Sequence, residues 1–285
     1  MNRLTYLVAL LAILFAIVNA LVAEDDGPRR PRQSALPMPP RQVAPMGPTI
    51  EVDVVAKGSS TGTAFAITDD GWWLTARHVA HGCDAIGIQT GPRKGLRATE
   101  VHLHPNADLA LFRTGASARQ APLRLASLAQ GAPGRGAHGF STGYPQGQPG
   151  DVHARVLGQA RLKSVGRYRI TEPVLAWAEV TRRPGDLPAL GGLSGGPMLD
   201  EGGRVVGVLV ASSKRRGQVM TTAQSSIHEL LAQFPAVHDA VARGALGASA
   251  GRIDGNSFTT RGQGLRHDLT VAKVLCEVRQ PRRRP

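Results

Sequence analysis

The sequence predicts an all-β protein, a sandwich or a barrel. Two observations carry that prediction. From about 49 to 222 the chain runs as short apolar segments punctuated by Gly, Pro and Asn/Asp, the pattern of packed strands and turns. Over most of that stretch there is no helical period, and no repeat of 20–50 residues occurs. The segments at 50–55, 62–67, 72–75, 85–89, 109–113, 153–157, 174–180 and 204–211 are the clearest strands. One helix stands apart. Ile227, Leu230, Leu231 and Phe234 fall at i, i+3, i+4 and i+7, a single apolar face. Ser226 with Glu229 reads as a capping box, and Pro235 ends this helix or opens a second one through Val241. Its role is structural.

The amino terminus differs in kind. After the basic start Met1-Asn2-Arg3, residues 4–23 carry no charge, a run long for a signal-peptide core and just long enough to span a bilayer. Arg3 on one side and Glu24-Asp25-Asp26 on the other favour a cytoplasmic N-terminus and an exported body. Residues 1–23 are thus a signal peptide or a signal anchor, and the protein is periplasmic, secreted or held at the inner membrane. Residues 24–48 read as a linker: seven prolines lie between Gly27 and Pro48, a density that favours extended polyproline geometry over sheet or helix.

The formal net charge is +13, and arginine supplies 29 of the 34 basic side chains. Such a field suits acidic partners, an anionic membrane surface among them, or reflects arginine used as the default surface charge. Nucleic acid is not an expected partner, because aromatics are few and no nucleic-acid motif occurs.

Three motifs carry chemistry: Leu74-Thr75-Ala76-Arg77-His78-Val79, Asp108-Leu109-Ala110-Leu111 and Gly192-Leu193-Ser194-Gly195-Gly196-Pro197. A serine hydroxyl is a poor nucleophile at neutral pH. It needs a base within hydrogen-bond reach and a third group to fix the base's tautomer. Singly, each motif is also a glycine-rich turn, a packed histidine or a strand-start aspartate. Together, in the order His, Asp, Ser, they resemble the trypsin/chymotrypsin-like serine proteases, since other folds carry this triad in other orders. The resemblance covers about 49–235. It implies two six-stranded antiparallel β-barrels, at 49–130 and at 131–235 including the helix, with the site in the cleft between them. It casts Ser194 as nucleophile, His78 as general base and acid, and Asp108 as orienting carboxylate. The backbone N–H groups of Gly192 and Ser194 become the oxyanion hole. The activity implied is that of a serine endopeptidase acting on protein or peptide substrates, and a catalytically silent protease fold used for binding or sensing is the alternative. No cofactor and no metal is expected: His78, His81 and Cys83, even with His102 and His104, do not have the spacing of a zinc site.

The sequence also departs from the digestive enzymes. Leu193 stands where they carry an aspartate that receives a newly cut N-terminus. The oxyanion loop, 185–194, is therefore expected to be held by packing or ordered by a substrate or partner. Six residues before the serine, where trypsin has its acid, is Pro188, followed by Ala189 and Leu190. With Leu209, Val210, Ala211 and Ser212 as the opposite wall, this pocket predicts cleavage after small or aliphatic residues. Arg77, beside the histidine, is either a surface side chain or part of the cleft. Residues 236–285 read as an Arg/Gly-rich extension, too short for the PDZ module of Deg/HtrA-type enzymes. Cys83 and Cys276 are expected to form a disulfide in an exported protein, tying that extension to the first barrel; two unpaired thiols are the alternative.

Overall fold

The computed structural model describes residues 30–39, 47–54, 58–115, 121–213, 217–244 and 251–279. Among them, twelve strands close into two antiparallel barrels of six. The first contains β3 (Ser60–Ala66), β4 (Trp72–Thr75), β5 (Ala85–Gly91), β6 (Lys94–Leu103), β7 (Ala110–Thr114) and β14 (Val271–Glu277), in the order β6-β5-β14-β3-β4-β7 and closed by β6 on β7. The second contains β8 (His138–Gly143), β9 (Gly150–Gly166), β10 (Ile170–Arg183), β11 (Pro197–Leu199), β12 (Val205–Ser213) and β13 (Gln218–Thr222), in the order β10-β13-β12-β11-β8-β9 and closed by β9 on β10. Two further strands join in parallel: β1 (Arg32–Ala35) on β6, and β2 (Thr49–Val54) on β9. The all-β expectation and the pair of barrels are what the structure has.

Three segments lie elsewhere than expected. Strand β2 does not open the first barrel but edges the second, where Ile50 and Val52 pack on the core and Lys163 Nζ meets Glu51 Oε2 at 2.8 Å. Strand β1 lies in the proline-rich stretch expected to avoid sheet. Its four residues fall between Pro31 and Pro37, and an edge position tolerates flanking prolines. Strand β14 comes from the stretch read as an extension outside the barrels. Its residues Ala272, Val274 and Cys276 are buried while Leu275 and Glu277 are exposed, a period-two pattern that places it between β3 and β5.

Among the described residues the α-helices are α1 (Arg77–Ala80), α2 (Gln224–Ala232), α3 (Pro235–Gly244) and α4 (Phe258–His267). Ile227, Leu230 and Leu231 of α2 are buried, as the spacing predicts. The capping box does not form: the N-cap is Ala223, Ser226 is buried inside the first turn, and Glu229 faces His104 at 3.6 Å. Strand β3 shows why both barrels are tight here. Ala64 and Ala66 face one core cluster, Phe65 and Ile67 the other, which includes the buried face of α2, so both faces of the strand are buried along 63–66. Among the described residues no helix is long and apolar enough to cross a membrane, and the run at 4–23 lies outside them.

Candidate active site

Strand β4 delivers the chain into α1, and Thr75 Oγ1 anchors that exit on Thr63 O at 2.7 Å. His78 then lies against Asp108, which precedes β7. The Asp108 carboxylate accepts twice from this one residue: Oδ2 from His78 Nδ1 at 2.6 Å, and Oδ1 from the His78 backbone N–H at 2.8 Å. The Asp108 side chain is almost fully buried, while that of His78 is 27% exposed. Burial alone would raise the carboxyl pKa. The His78 charge and hydrogen bonds, with a further bond from the Tyr168 hydroxyl at 3.0 Å, outweigh it and hold Asp108 below the usual carboxylate range. Glu172 Oε1 accepts the Asp108 backbone N–H at 2.8 Å.

Ser194 lies in the turn entering β11, and the backbone around it is anchored from both barrels. Thr63, on β3, donates its N–H to Ser194 O at 2.9 Å and its hydroxyl to Gly192 O at 2.8 Å. From the loop after β8, Gln146 holds Gly191 O with both its backbone N–H, at 2.6 Å, and its Nε2, at 3.1 Å. Gly196 N–H donates to Leu193 O at 2.9 Å. In a planar trans peptide the C=O and N–H point in opposite directions. The Gly192 N–H is therefore directed away from Gln146, and the Ser194 N–H away from Gly196. Two glycines are needed for this path. Gly192 has φ +96° and a Cβ there would lie 2.6 Å from Tyr144 O; Gly195 has φ +87° and a Cβ would lie 2.1 Å from Thr63 O. Leu193 is wholly buried in the core of the second barrel, so apolar packing fixes the position where the digestive enzymes use a buried carboxylate.

The residues expected to form the specificity pocket divide. Leu190 and Leu209 are core residues of the second barrel, and the Leu209 backbone bonds Gly195 and Gly196. Val210 faces the other way, into the cluster that holds Val79 and Ala80 beside His78. Pro188 and Ser212 are exposed, and Ala189 and Ala211 are partly buried. Asp186, the nearest carboxylate in sequence, is exposed. Ser212 also borders a groove of about 1120 Å³ floored by Ile50, Leu157, Ala176 and Met220.

Arg77 is half-buried rather than an open-surface side chain. Its guanidinium donates to His104 O at 2.9 Å and Pro105 O at 3.2 Å and lies 4.5 Å from the centre of the Tyr168 ring. Cys83 and Cys276 are joined as a disulfide, with Cα atoms 5.4 Å apart. The segment that carries Cys276 also supports the nucleophile side, since Lys273 Nζ donates to Gly147 O at 2.9 Å beside Gln146. Thr63, Gln146, Tyr168 and Lys273 were not singled out from the sequence. Only Gln146 left a trace there, as the centre of a Pro-x-Gly turn; it has φ 51°, uncommon for a side-chain-bearing residue.

Comparison with known proteins bears on the family and the fold. A family model described as a trypsin-like peptidase domain matches residues 62–208, just over half of the chain. Protein y4bJ of Sinorhizobium fredii is 29% identical over 194 residues, 65% of this chain and 28% of that protein. A probable periplasmic serine endoprotease DegP-like of Pseudomonas fluorescens is 26% identical over 164 residues, 58% of this chain and 32% of its own length. The chain thus matches about a third or less of the length of these curated relatives. In fold, it resembles the active form of the Rv3671c protease from M. tuberculosis, with 23% identity over 68% of this chain and 92% of that one and a TM-score of 0.50. The matched residues run from β3 to β12 and include all three motifs, and on that match the chain belongs to the family of trypsin-like peptidase domains.

Proposed function

We propose that this protein is an exported serine endopeptidase that hydrolyses protein or peptide substrates through an acyl-enzyme on Ser194. The observation that carries the proposal is the doubly hydrogen-bonded His78–Asp108 pair, its carboxylate buried, on the barrel other than the one that carries Ser194. His78 Nδ1 donates to an ionised Asp108, which leaves Nε2 as the basic nitrogen. Nε2 takes the Ser194 hydroxyl proton as Oγ attacks the substrate carbonyl. It returns that proton to the leaving amine, and water repeats the sequence to release the acid. Asp108 stays ionised throughout and stabilises the imidazolium. The tetrahedral oxygen is received by the N–H groups of Gly192 and Ser194, whose directions follow from the anchored carbonyls of Gly191 and Leu193. These anchors, with Leu193 packed in the core, support a loop that is formed before substrate arrives.

The absence of a carboxylate from 188–190 and 209–212 supports cleavage after small or aliphatic residues. Export is supported by the charge-free run at 4–23, by the disulfide and by the periplasmic name of the DegP-like relatives. The test is labelling of the full chain by a fluorophosphonate, with a peptide panel alongside. Wild type is expected to label. Ser194→Ala should not, and His78→Ala should lose turnover by about 10⁶-fold. An unlabelled wild type returns the chain to the silent binding module, and a panel cleaved best after Arg or Lys overturns the pocket assignment.

A further inference from the structure

The carboxylate of Asp108 is held by three donors, and one of them comes from the other barrel. Oδ2 faces His78 Nδ1. Oδ1 accepts the His78 backbone N–H and the Tyr168 hydroxyl. Tyr168 lies in the short turn between β9 and β10, the hairpin that closes the second barrel. That turn reaches over the first barrel, and its tyrosine is clasped there. The Arg77 guanidinium lies 4.5 Å from the ring centre, the Arg167 guanidinium 5.6 Å, and the His81 ring stands edge-on at 5.8 Å. Arg167 continues past the ring to donate to His78 O at 3.0 Å and His81 O at 3.3 Å. Arg77 fastens the opposite side to His104 O and Pro105 O. Both arginines thus fix the ring to α1 and to the loop leading into Asp108. Burial, and then the Asp108 charge, push the phenol well above its ordinary pKa, so Tyr168 remains a hydrogen-bond donor at every working pH.

A carboxylate turns easily about its last bond, whose torsion is broad and nearly two-fold. Of the two donors on Oδ1, the His78 backbone N–H belongs to the residue that Asp108 must orient, so the Tyr168 hydroxyl is the one that ties the carboxylate to the other barrel. We propose that Tyr168 is a positioning residue, its hydroxyl pinning Oδ1 so that Oδ2 is held on His78 Nδ1. The inference rests on the reading of His78, Asp108 and Ser194 as the catalytic set. It adds a link between the barrels: the hairpin that carries Tyr168 belongs to the barrel of Ser194, while Asp108 and His78 belong to the other. A contact across that seam holds the base in register with the nucleophile, where a misplacement of about 1 Å can cost about 10²-fold in rate.

Tyr168→Phe removes the hydroxyl and keeps the ring that Arg77, Arg167 and His81 clasp. Expected is a fall in kcat of about tenfold or more, the worth of a hydrogen bond to a charged group, with KM unchanged within about twofold and fluorophosphonate acylation slowed in parallel. In an Asp108→Asn background the same substitution should cost nothing further, because Tyr168 acts only through the carboxylate; a merely structural role would cost the same factor in both backgrounds. A Tyr168→Phe enzyme at the full rate, or an equal loss in the Asp108→Asn background, overturns the proposal. An inert wild type would instead overturn the catalytic reading. Proton NMR then decides on Tyr168 without turnover: the short His78–Asp108 bond predicts a strongly downfield Nδ1–H signal, which should move in Tyr168→Phe, and a signal that stays put overturns the positioning role.

Discussion

The two barrels are built alike and closed differently. Each buries one tryptophan whose indole N–H is satisfied by a threonine hydroxyl at 3.0 Å, Trp73 on Thr114 in the first and Trp177 on Thr221 in the second. The second barrel takes its six strands from one continuous stretch, 138–222. The first takes five from 60–114 and the sixth from 271–277. Strand β14 bonds β3 through Val271–Phe65 to Cys276–Ser60 and bonds β5 on its other edge. The barrel that carries His78 and Asp108 is thus completed only when the far end of the chain returns, and the Cys83–Cys276 disulfide sits at that seam. The barrel that carries Ser194 has no such dependence. Loop-closure entropy grows only slowly with length, so the arrangement costs little at equilibrium, while pairing so far apart in sequence slows folding. On its way back the segment also docks on the second barrel, where Arg266 and Asp151 form a buried ion pair at 2.6 Å and Phe258 packs on Phe140 and His153.

The largest effect should come from removing residues 251–285. With β14 gone, β3 and β5 become open edges in the middle of the first barrel. Amide protection is expected to vanish from β3 and β5 and to persist in β9 and β10, with fluorophosphonate labelling abolished. Protection kept in β3 would show that the first barrel closes by itself and erase the contrast. Next is the disulfide. Cys83→Ser with Cys276→Ser frees a loop of 193 residues, worth at most about 5 kcal/mol in the chain-entropy model. Urea unfolding should show the loss, and it should fall on the first barrel's probes rather than the second's; equal loss in both would mean the barrels unfold as one unit.

The smallest effect concerns the second barrel. His153, 7% exposed, lies with Nε2 2.7 Å from His138 Nδ1. Burial first, then the charges of His138 and Arg155, lower its pKa. The unfolded chain therefore binds the proton more readily. Stability should be full above the unfolded histidine pKa of about 6.5 and fall as pH drops through the folded value. Between pH 7.5 and 5, a range set by that pKa, the melting temperature of wild type should fall more steeply than that of His153→Phe. An unchanged slope would assign the acid sensitivity to other groups.

Much of this molecule is legible in the sequence. Eight of the strands announce themselves as apolar runs between turn residues, and His78, Asp108 and Ser194 announce themselves by their neighbours. Strand β14 was missed although its alternation is plain, because it sits between arginine-rich stretches that read as a tail. Ser226 and Glu229 have the spacing of a capping box, yet Ser226 is wanted in the core and Glu229 faces His104; tertiary contacts outweigh a cap's roughly 1 kcal/mol.

What the sequence determined alone is whatever local chemistry dictates: the period-two burial of strands, the face of α2, and the residue types that serine chemistry demands. Tertiary structure decided which distant groups meet. That Tyr168 reaches Asp108, that Thr63 and Gln146 anchor the backbone beside Ser194, and that the chain's end closes its first barrel are consequences of packing between segments tens to hundreds of residues apart. No periodicity or motif encodes such pairings, because each depends on a register set by the whole barrel rather than by neighbouring residues.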